Sequence, residues 1–323
     1  MVAIPRQPQL RNHAARDAAP DCLSQKQSVV LCQWVLIPML PKPLTHLKDT
    51  QNEPDYRKIA IDRAGVKNLK YPVRVRDKAH SEQHTVATFT LTVDLPQEYK
   101  GTHMSRFVEV LNEFGPEIHV DNISQMLHDL TTRLNSECAH VDLEFPFFLE
   151  KPAPVTGAVG MMDYLVRFNA TLEHGVTDFV VTVIVGVTTL CPCSKAISAH
   201  GAHNQRGQVT YSVRFSKPIW IEDLVQLVEG CASSELYSLL KRPDEKAVTE
   251  RAYENPVFVE DLVRNIAVRS DREPDITWYK VEAENFESIH SHNAYALIEH
   301  DKRTPRATSA APAAPEVGAP AGD

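Results

Sequence analysis

The alternation of apolar and polar residues predicts where the first strand and the first helices lie. Residues 84–95 (HTVATFTLTVDL) alternate polar and apolar positions and are rich in β-branched side chains, which is typical of a half-buried strand. Residues 104–114 and 123–134 instead repeat apolar side chains every three or four positions, which predicts two amphipathic helices. A strand followed by two helices is therefore expected in this part of the chain.

The same two periods recur along the rest of the chain. Further strands are predicted at residues 139–147, 162–173, 178–190, 208–215 and 275–285. Further helices are predicted at residues 221–230, 233–240 and 255–270. Each half of the chain then runs from strands through helices to strands, which predicts an α+β fold built from two related units.

The two ends of the chain differ in composition from the region between them. Residues 1–48 mix Pro, Gln and Ala with one short apolar stretch, and residues 302–323 are rich in Pro and Ala. Such segments cannot bury a core, so we expect a disordered leader, a folded domain at residues 49–301 and a disordered tail. The apolar stretch at residues 29–40 is shorter than the roughly 20 residues of a membrane-spanning helix, so no membrane association is expected.

Composition and charge narrow the class of protein. The chain has 323 residues, of which 43% are hydrophobic and 24% are charged, the balance of a soluble globular protein. Its formal net charge of -8 argues against nucleic acid as a partner. Its six cysteines are too sparse for a disulfide framework, which favours a reducing cytoplasm.

The densest group of reactive side chains follows the predicted strand at residues 178–190. Within TTLCPCSKAISAHGAHNQR (residues 188–206), Cys191 and His203 are good ligands for zinc and similar divalent metals, with Cys193 and His200 as alternatives. A structural zinc site needs four protein ligands, and the chain has no second cysteine pair, so a catalytic site with an open position fits better. Lys195 and Arg206 add the cations that a phosphate site requires.

Two further polar segments could carry chemistry or could be ordinary surface. Residues 240–251 (LKRPDEKAVTER) contain many charged side chains around Pro243. The interpretation without a function is a solvent-exposed loop between helices. Residues 285–295 (NFESIHSHNAY) contain Glu287 and His290, and Asn285 or Ser288 could instead cap a terminal helix. The chain has no P-loop, Rossmann, zincin or α/β-hydrolase motif, so a nucleotide would be bound in another way.

Taken together, six segments resemble the GTP cyclohydrolase type IB family. They are DTQNEPD (49–55), KGTHMSRF (100–107), LCPCSK (190–195), GAHNQRG (201–207), KRPDEK (241–246) and ESIHSHNAYA (287–296). The resemblance implies a tunnelling fold, in which two units of antiparallel strands carry helices on one face and the chain assembles as a barrel-forming homotetramer with active sites at subunit interfaces. It also implies conversion of GTP and water to 7,8-dihydroneopterin triphosphate and formate.

The resemblance further implies roles for particular residues. One divalent metal per site, zinc, manganese or iron, would be bound by Cys191, His203 and Glu245, with His290 as a further ligand or as the acid/base. Glu287 would bind the guanine edge. On chemistry more than on motif, the substrate triphosphate would be held by Lys195, Arg206, His103 and Arg106, some of them from a neighbouring subunit. The loop departs from the family pattern at Ala196, where an acidic residue is common, and at His200, where an aromatic residue is common, which leaves the choice between His200 and His203 open.

Two other functions stay open at the level of the sequence. A related tunnelling-fold enzyme acting on a pterin, such as an epimerase, aldolase or reductase, would use the glutamate but would need neither Cys191 nor a metal. A nucleotide-binding relative without activity would bind GTP and release no formate.

Overall fold

The computed structural model describes residues 49–118 and 120–305. The predicted leader, most of the predicted tail, and Cys22 and Cys32 lie outside these residues, so those assignments stay predictions. No helix in the described part of the chain has the length and apolar character needed to cross a bilayer.

The described residues form ten strands and six helices. The strands are β1 (Ile61–Asp77), β2 (Ser81–Leu95), β3 (Glu117–Ile118), β4 (Cys138–Pro152), β5 (Val159–Glu173), β6 (Val176–Leu190), β7 (Asn204–Phe215), β8 (Ser234–Glu235), β9 (Ile276–Asn285) and β10 (Ala294–Asp301). The helices are α1 (Met104–Phe114), α2 (Val120–Leu134), α3 (Pro192–Ile197), α4 (Ile221–Glu229), α5 (Arg242–Glu254) and α6 (Val259–Arg272).

All ten strands belong to one sheet with the order β10-β9-β7-β6-β5-β4-β2-β1-β3, and β8 pairs with β6 beside this path. Neighbouring strands are antiparallel except for the short parallel pair of β1 and β3. A two-residue turn, His174 and Gly175, joins β5 to β6 and thereby the two halves of the chain. Apart from the two-residue strands β3 and β8 and the short helix α3, each half contributes two strands, then helices, then two more strands, which confirms the predicted α+β fold.

The core lies between one face of the sheet and the helices. On β2 the alternate residues Phe89, Leu91 and Val93 are at most 1% exposed, whereas the threonines between them are half-buried. Apolar residues of α2 at helical spacing, including Met126 and Leu130, are fully buried in the same cluster. Burying such a side chain contributes about 1.5–3 kcal/mol, so the periodicity of the sequence determines which face of each element is covered.

Two predictions between α4 and α6 are wrong. The predicted helix at residues 233–240 is not formed; Ser234 and Glu235 instead pair with β6, and Leu236 packs on Gly186, where an added Cβ would lie 3.0 Å from the leucine Cδ1. This pairing with a neighbouring strand overrides the local helical spacing. The predicted loop around Pro243 is the start of α5, because proline is tolerated in the first turn of a helix, where its missing N–H has no partner to lose.

The predictions for the last strands also need correction. No terminal helix starts at Asn285 or Ser288: β9 ends at Asn285, and β10 begins at Ala294 and pairs back onto β9. This exposed strand was not predicted, and neither was β1. The register of β1 against β2 shifts twice, which breaks the two-residue period that would have revealed it.

Candidate active site at the ends of β6, β7 and β9

Cys191 directly follows β6 and caps the short helix α3. Its Sγ accepts a hydrogen bond from the Ser194 backbone N–H at 3.5 Å, and Pro192 occupies the first turn. The Cys191 side chain is half-buried, whereas Cys193 is exposed. The structure therefore distinguishes the two cysteines of the CPC segment: Cys191 is held at the end of a buried strand and Cys193 faces solvent.

His203 lies next to Cys191 because the loop between them closes on itself. The Cys191 N–H donates to the His203 carbonyl oxygen at 3.1 Å. The Ser194 hydroxyl donates to the Cys191 carbonyl and accepts from the His203 N–H, both at 3.2 Å. His200 is exposed, and its imidazole makes no hydrogen bond or ion pair with the described residues. The loop geometry therefore favours His203 over His200 as the partner of Cys191.

The imidazole of His203 is surrounded by oxygen atoms on one side. Its Nδ1 lies 3.0 Å from Gln205 Oε1, 3.4 Å from Ser288 Oγ and 3.9 Å from Glu287 Oε2. Gln205 is 8% exposed, and its Nε2 donates to the Oγ1 of the fully buried Thr189 at 3.0 Å. The ring orientation is thus fixed from the interior of the sheet.

Neither Gln205 nor Thr189 was predicted from the sequence as part of the site. A signal for Gln205 was present, because it occupies an inward position of β7, in phase with Val209 and Tyr211. A glutamine at an inward position of a strand needs buried hydrogen-bond partners. The alternation therefore marks it as a residue that binds another polar group.

Glu287 has an unusual environment for a carboxylate. Its side chain is 11% exposed, and Oε2 is buried without a hydrogen-bond partner among the described residues. The 3.9 Å from Oε2 to His203 Nδ1 is too long for a hydrogen bond. A buried carboxylate oxygen without a donor is costly, so this atom is suited to receive donors from a ligand.

Close packing of β7 against β9 places Glu287 beside His203. Gly207 pairs with Asn285, and the Phe286 N–H donates to the Arg206 carbonyl at 2.9 Å. A Cβ on Gly207 would lie 2.7 Å from Asn285 Oδ1, so a larger residue would have to displace the Asn285 side chain. The glycine therefore allows the His203 and Glu287 segments to pack closely.

At the start of α5, the residue before Glu245 is the one that is anchored. Asp244 is fully buried, and its carboxylate accepts hydrogen bonds from the Lys241 N–H, the Val155 N–H, the Thr156 N–H and the Thr156 hydroxyl at 2.7–2.9 Å. Burial alone would raise the pKa of Asp244, but the hydrogen bonds from Thr156 and the two other N–H groups hold it well below its usual range. Glu245 itself is exposed.

The histidines of the 285–295 segment stand apart from this arrangement. His290 and His292 are exposed, and their rings stack with centroids 5.3 Å apart and planes 20° apart. Within residues 49–118 and 120–305, no three His, Cys, Asp or Glu side chains lie close enough together to hold a metal ion. One chain therefore brings Cys191, His203 and Glu287 to one end of the sheet and does not gather Glu245 and His290 with them.

The four candidate phosphate-binding side chains come from different parts of the chain and have separate contacts. Lys195 Nζ donates to the Tyr253 carbonyl and lies 4.4 Å from the centroid of the Tyr253 ring. Arg206 is exposed at the start of β7, and Arg106 Nη1 donates to the Arg133 carbonyl at 2.9 Å. His103 Nε2 lies 3.3 Å from Asp49 Oδ2.

The His103–Asp49 contact joins two of the segments on which the family resemblance rests. Gln51 Nε2 also donates to the Thr102 carbonyl at 3.3 Å, and the Lys100 N–H donates to the Glu53 carbonyl at 3.1 Å. Segments 49–55 and 100–107 thus form one local unit.

Known proteins resemble this chain over most of its described length. A family model described as type I GTP cyclohydrolase folE2 matches residues 47–296. The GTP cyclohydrolase FolE2 of Akkermansia muciniphila is 61% identical over 81% of this chain and 100% of its own length. Those of Azoarcus sp. and Syntrophotalea carbinolica are 55% and 53% identical, over 81% and 80% of this chain and 98% and 97% of their own lengths.

Among solved structures, the uricase of Arthrobacter globiformis aligns with a TM-score of 0.44 and 9% identity, over 77% of this chain and 96% of that one. A likeness this weak says nothing about activity. The family match covers most of the folded region, and the relatives match over nearly their whole length. These matches confirm the GTP cyclohydrolase function predicted from the sequence, and the chain belongs to the type I GTP cyclohydrolase FolE2 family.

Proposed function

We propose that the chain converts GTP and water to 7,8-dihydroneopterin triphosphate and formate. The site lies at one end of the sheet, where Cys191 follows β6, His203 precedes β7 and Glu287 follows β9. Family membership supports the reaction. The observation that supports this location is the buried, unpartnered Oε2 of Glu287 beside the His203 imidazole. A site that is short of donors in the free protein is suited to a ligand rich in N–H groups.

Glu287 would recognise the guanine base. The Watson–Crick edge of guanine presents two adjacent donors, the N1–H and the N2 amino group, which match the two oxygens of one carboxylate. Burial strengthens such charge-assisted hydrogen bonds and makes an unmatched base costly to bind. Glu287 would therefore hold the purine in a fixed orientation while its five-membered ring reacts.

The residues present fit one divalent metal of the zinc, manganese or iron class. The Cys191 N–H is hydrogen-bonded to the His203 carbonyl oxygen, and His203 Nε2 has no hydrogen-bond partner among the described residues. Glu245 would be the third ligand, and His290 a further ligand or the acid/base. When bound, such a metal lowers the pKa of a water molecule and so supplies a nucleophile for the purine C8 near neutral pH.

The remaining roles fall to exposed groups. Ring opening and formate release need proton transfers, and the exposed imidazole of His290 is suited to them because an imidazole can both donate and accept a proton. The triphosphate would be held by Arg206 together with Lys195, His103 and Arg106. Lys195 would have to leave the Tyr253 carbonyl to reach a phosphate.

These scattered groups support an assembled enzyme. We propose a tunnelling-fold homotetramer in which a second subunit completes each site. The open sheet, with β10 unpaired along one side within the described residues, leaves an edge for such an assembly.

The four cysteines of the described residues, Cys138, Cys191, Cys193 and Cys231, are free, in keeping with a reducing cytoplasm.

The experiment measures formate and dihydropterin fluorescence from GTP with metal-stripped protein, and again after Mn²⁺ or Zn²⁺ is restored. We expect metal-dependent turnover that is lost in Cys191→Ala and kept in the control Cys193→Ala, whose side chain is exposed. Loss in Cys193→Ala alone would contradict the assignment of Cys191. GTP binding without formate under every metal condition would favour an inactive nucleotide-binding relative, and turnover of a pterin alone would favour another pterin enzyme.

A further inference from the structure

The hydrogen bonds behind His203 form a short chain that ends inside the sheet. Thr189, the residue before the last of β6, is fully buried and receives a hydrogen bond from Gln205 Nε2 at 3.0 Å. Gln205 is also more than nine-tenths buried, and its Oε1 faces His203 Nδ1 at 3.0 Å. The chain Thr189–Gln205–His203 thus runs from the core to the imidazole.

The atoms around Nδ1 decide which ring nitrogen carries the proton. A neutral imidazole has one N–H donor and one acceptor nitrogen, and the hydrogen bond at one nitrogen fixes the role of the other. If Gln205 were turned so that its amide nitrogen faced the ring, Nδ1 would be an acceptor. Two groups that can only accept, the Nδ1 lone pair and the Glu287 carboxylate, would then lie 3.9 Å apart and repel each other. A proton on Nδ1 avoids this repulsion and also satisfies Gln205 Oε1.

We propose that Gln205 is a positioning residue that, oriented by Thr189, holds His203 in the tautomer protonated at Nδ1 and leaves Nε2 to bind the metal. The metal-binding part rests on the proposed function, whereas the tautomer does not. Metal-bound histidines are commonly oriented by an acceptor on their other nitrogen, and loss of that acceptor typically lowers metal affinity 10–100-fold.

This arrangement also separates His203 from His200. The exposed ring of His200 has no acceptor among the described residues to fix its tautomer or its rotation. Both histidines belong to the same loop, so their chemistry is equal and only their surroundings differ. Gln205 therefore gives the physical reason why His203 is the better ligand.

The test observes the tautomer directly in metal-free protein. Long-range proton–nitrogen NMR spectra of protein labelled with ¹⁵N-histidine distinguish an Nδ1–H from an Nε2–H ring, and His203→Ala identifies the signal. We expect the Nδ1–H form in the unmodified chain and its loss in Gln205→Leu. An Nε2–H ring in the unmodified chain would overturn the proposal.

The affinities for Mn²⁺ and Zn²⁺, measured by calorimetry, complete the test. We expect Gln205→Leu to weaken binding about 10–100-fold, Gln205→Glu to preserve it because a carboxylate is also an acceptor, and Thr189→Val to weaken it less. Gln208→Leu, an exposed glutamine on the same strand, is the matched control. Unchanged affinity and tautomer in Gln205→Leu would contradict the proposal. If no form bound metal, the proposed function would fail while the NMR result still decided the tautomer.

Discussion

The loop from Cys191 to His203 and the start of α5 position their functional residues in opposite ways. In the loop, the candidate ligands themselves are held: His203 by Gln205 at its ring, and Cys191 by hydrogen bonds at its backbone and thiol. At the start of α5, the buried Asp244 is held and its neighbour Glu245 is exposed. The side chains of the loop are therefore positioned before any ligand binds. At the start of α5, only the backbone that carries Glu245 is fixed.

The largest effect expected concerns the two histidines of the loop. His203→Ala should reduce turnover more than about 100-fold, since removing a ligand should cost more than removing the group that orients it. His200→Ala, at an exposed position, should change turnover less than about threefold. Steady-state kinetics with saturating Mn²⁺ measures both. A larger loss of turnover in His200→Ala than in His203→Ala would show that His200, and not His203, is the ligand.

Glu245 tests the opposite half of the comparison. Glu245→Gln should reduce turnover and metal affinity about 10-fold or more, because the amide loses the negative charge that a divalent cation prefers. Its melting temperature should stay within about 2 °C of the unmodified protein, since exposed side chains contribute little to stability. Kinetics and calorimetry together separate the two effects. A large fall in stability would mean that Glu245 supports the fold in addition to any ligand.

Asp244 should show the reverse pattern, in which stability falls first. Asp244→Asn should lower the melting temperature by roughly 5 °C or more, because one of the two acceptor oxygens becomes an NH2 group, which cannot accept the hydrogen bonds made there. Thr156→Val, which removes one of those hydrogen bonds, should have a smaller effect. Differential scanning calorimetry measures both. If Asp244→Asn had the melting temperature of the unmodified protein, the hydrogen bonds to Asp244 would not be what fixes the start of α5.

The same anchor gives a pH dependence of stability. The pKa of Asp244 is lowered in the folded protein, so its contribution is fully present above the unfolded value of about 4 and is lost as the pH falls toward the folded pKa. The melting temperature of the unmodified protein should therefore fall below about pH 4 more steeply than that of Asp244→Asn. Parallel acid limbs in the two proteins would contradict this.

The smallest effect expected is at the contact between β7 and β9. Gly207→Ala places a Cβ 2.7 Å from Asn285 Oδ1 and should shift the Glu287 segment by a few tenths of an ångström. We expect KM for GTP to rise a few-fold with kcat less affected, because the contact acts on substrate binding. Unchanged KM would show that the position of Glu287 does not depend on this packing.

Periodicity predicted most of the fold, and chemistry predicted only part of the site. The alternation in β2 and the helical spacing in α2 identified elements whose buried faces are decided locally. Periodicity did not predict β8 or β10, because pairing with the neighbouring strands β6 and β9 determines their structure. Ligand chemistry identified Cys191 and His203, but Asp244 and Gln205 act through buried hydrogen bonds to Thr156 and Thr189, which lie 88 and 16 positions away in the sequence. The alternation marks Gln205 as an inward polar residue without showing what it binds. Such partners are not visible in the spacing of a single sequence.

The hydrogen bonds from the β4–β5 turn to Asp244 also determine where the chain tolerates added sequence. The N–H groups of Val155 and Thr156 must both reach one carboxylate, so the length of that turn is tied to a helix 88 positions away. Within the described part of the chain, no hydrogen bond ties the β5–β6 turn to a helix in this way, and its residues His174 and Gly175 are exposed. Natural insertions should therefore be common in the β5–β6 turn and rare in the β4–β5 turn. An epitope tag should be tolerated between His174 and Gly175.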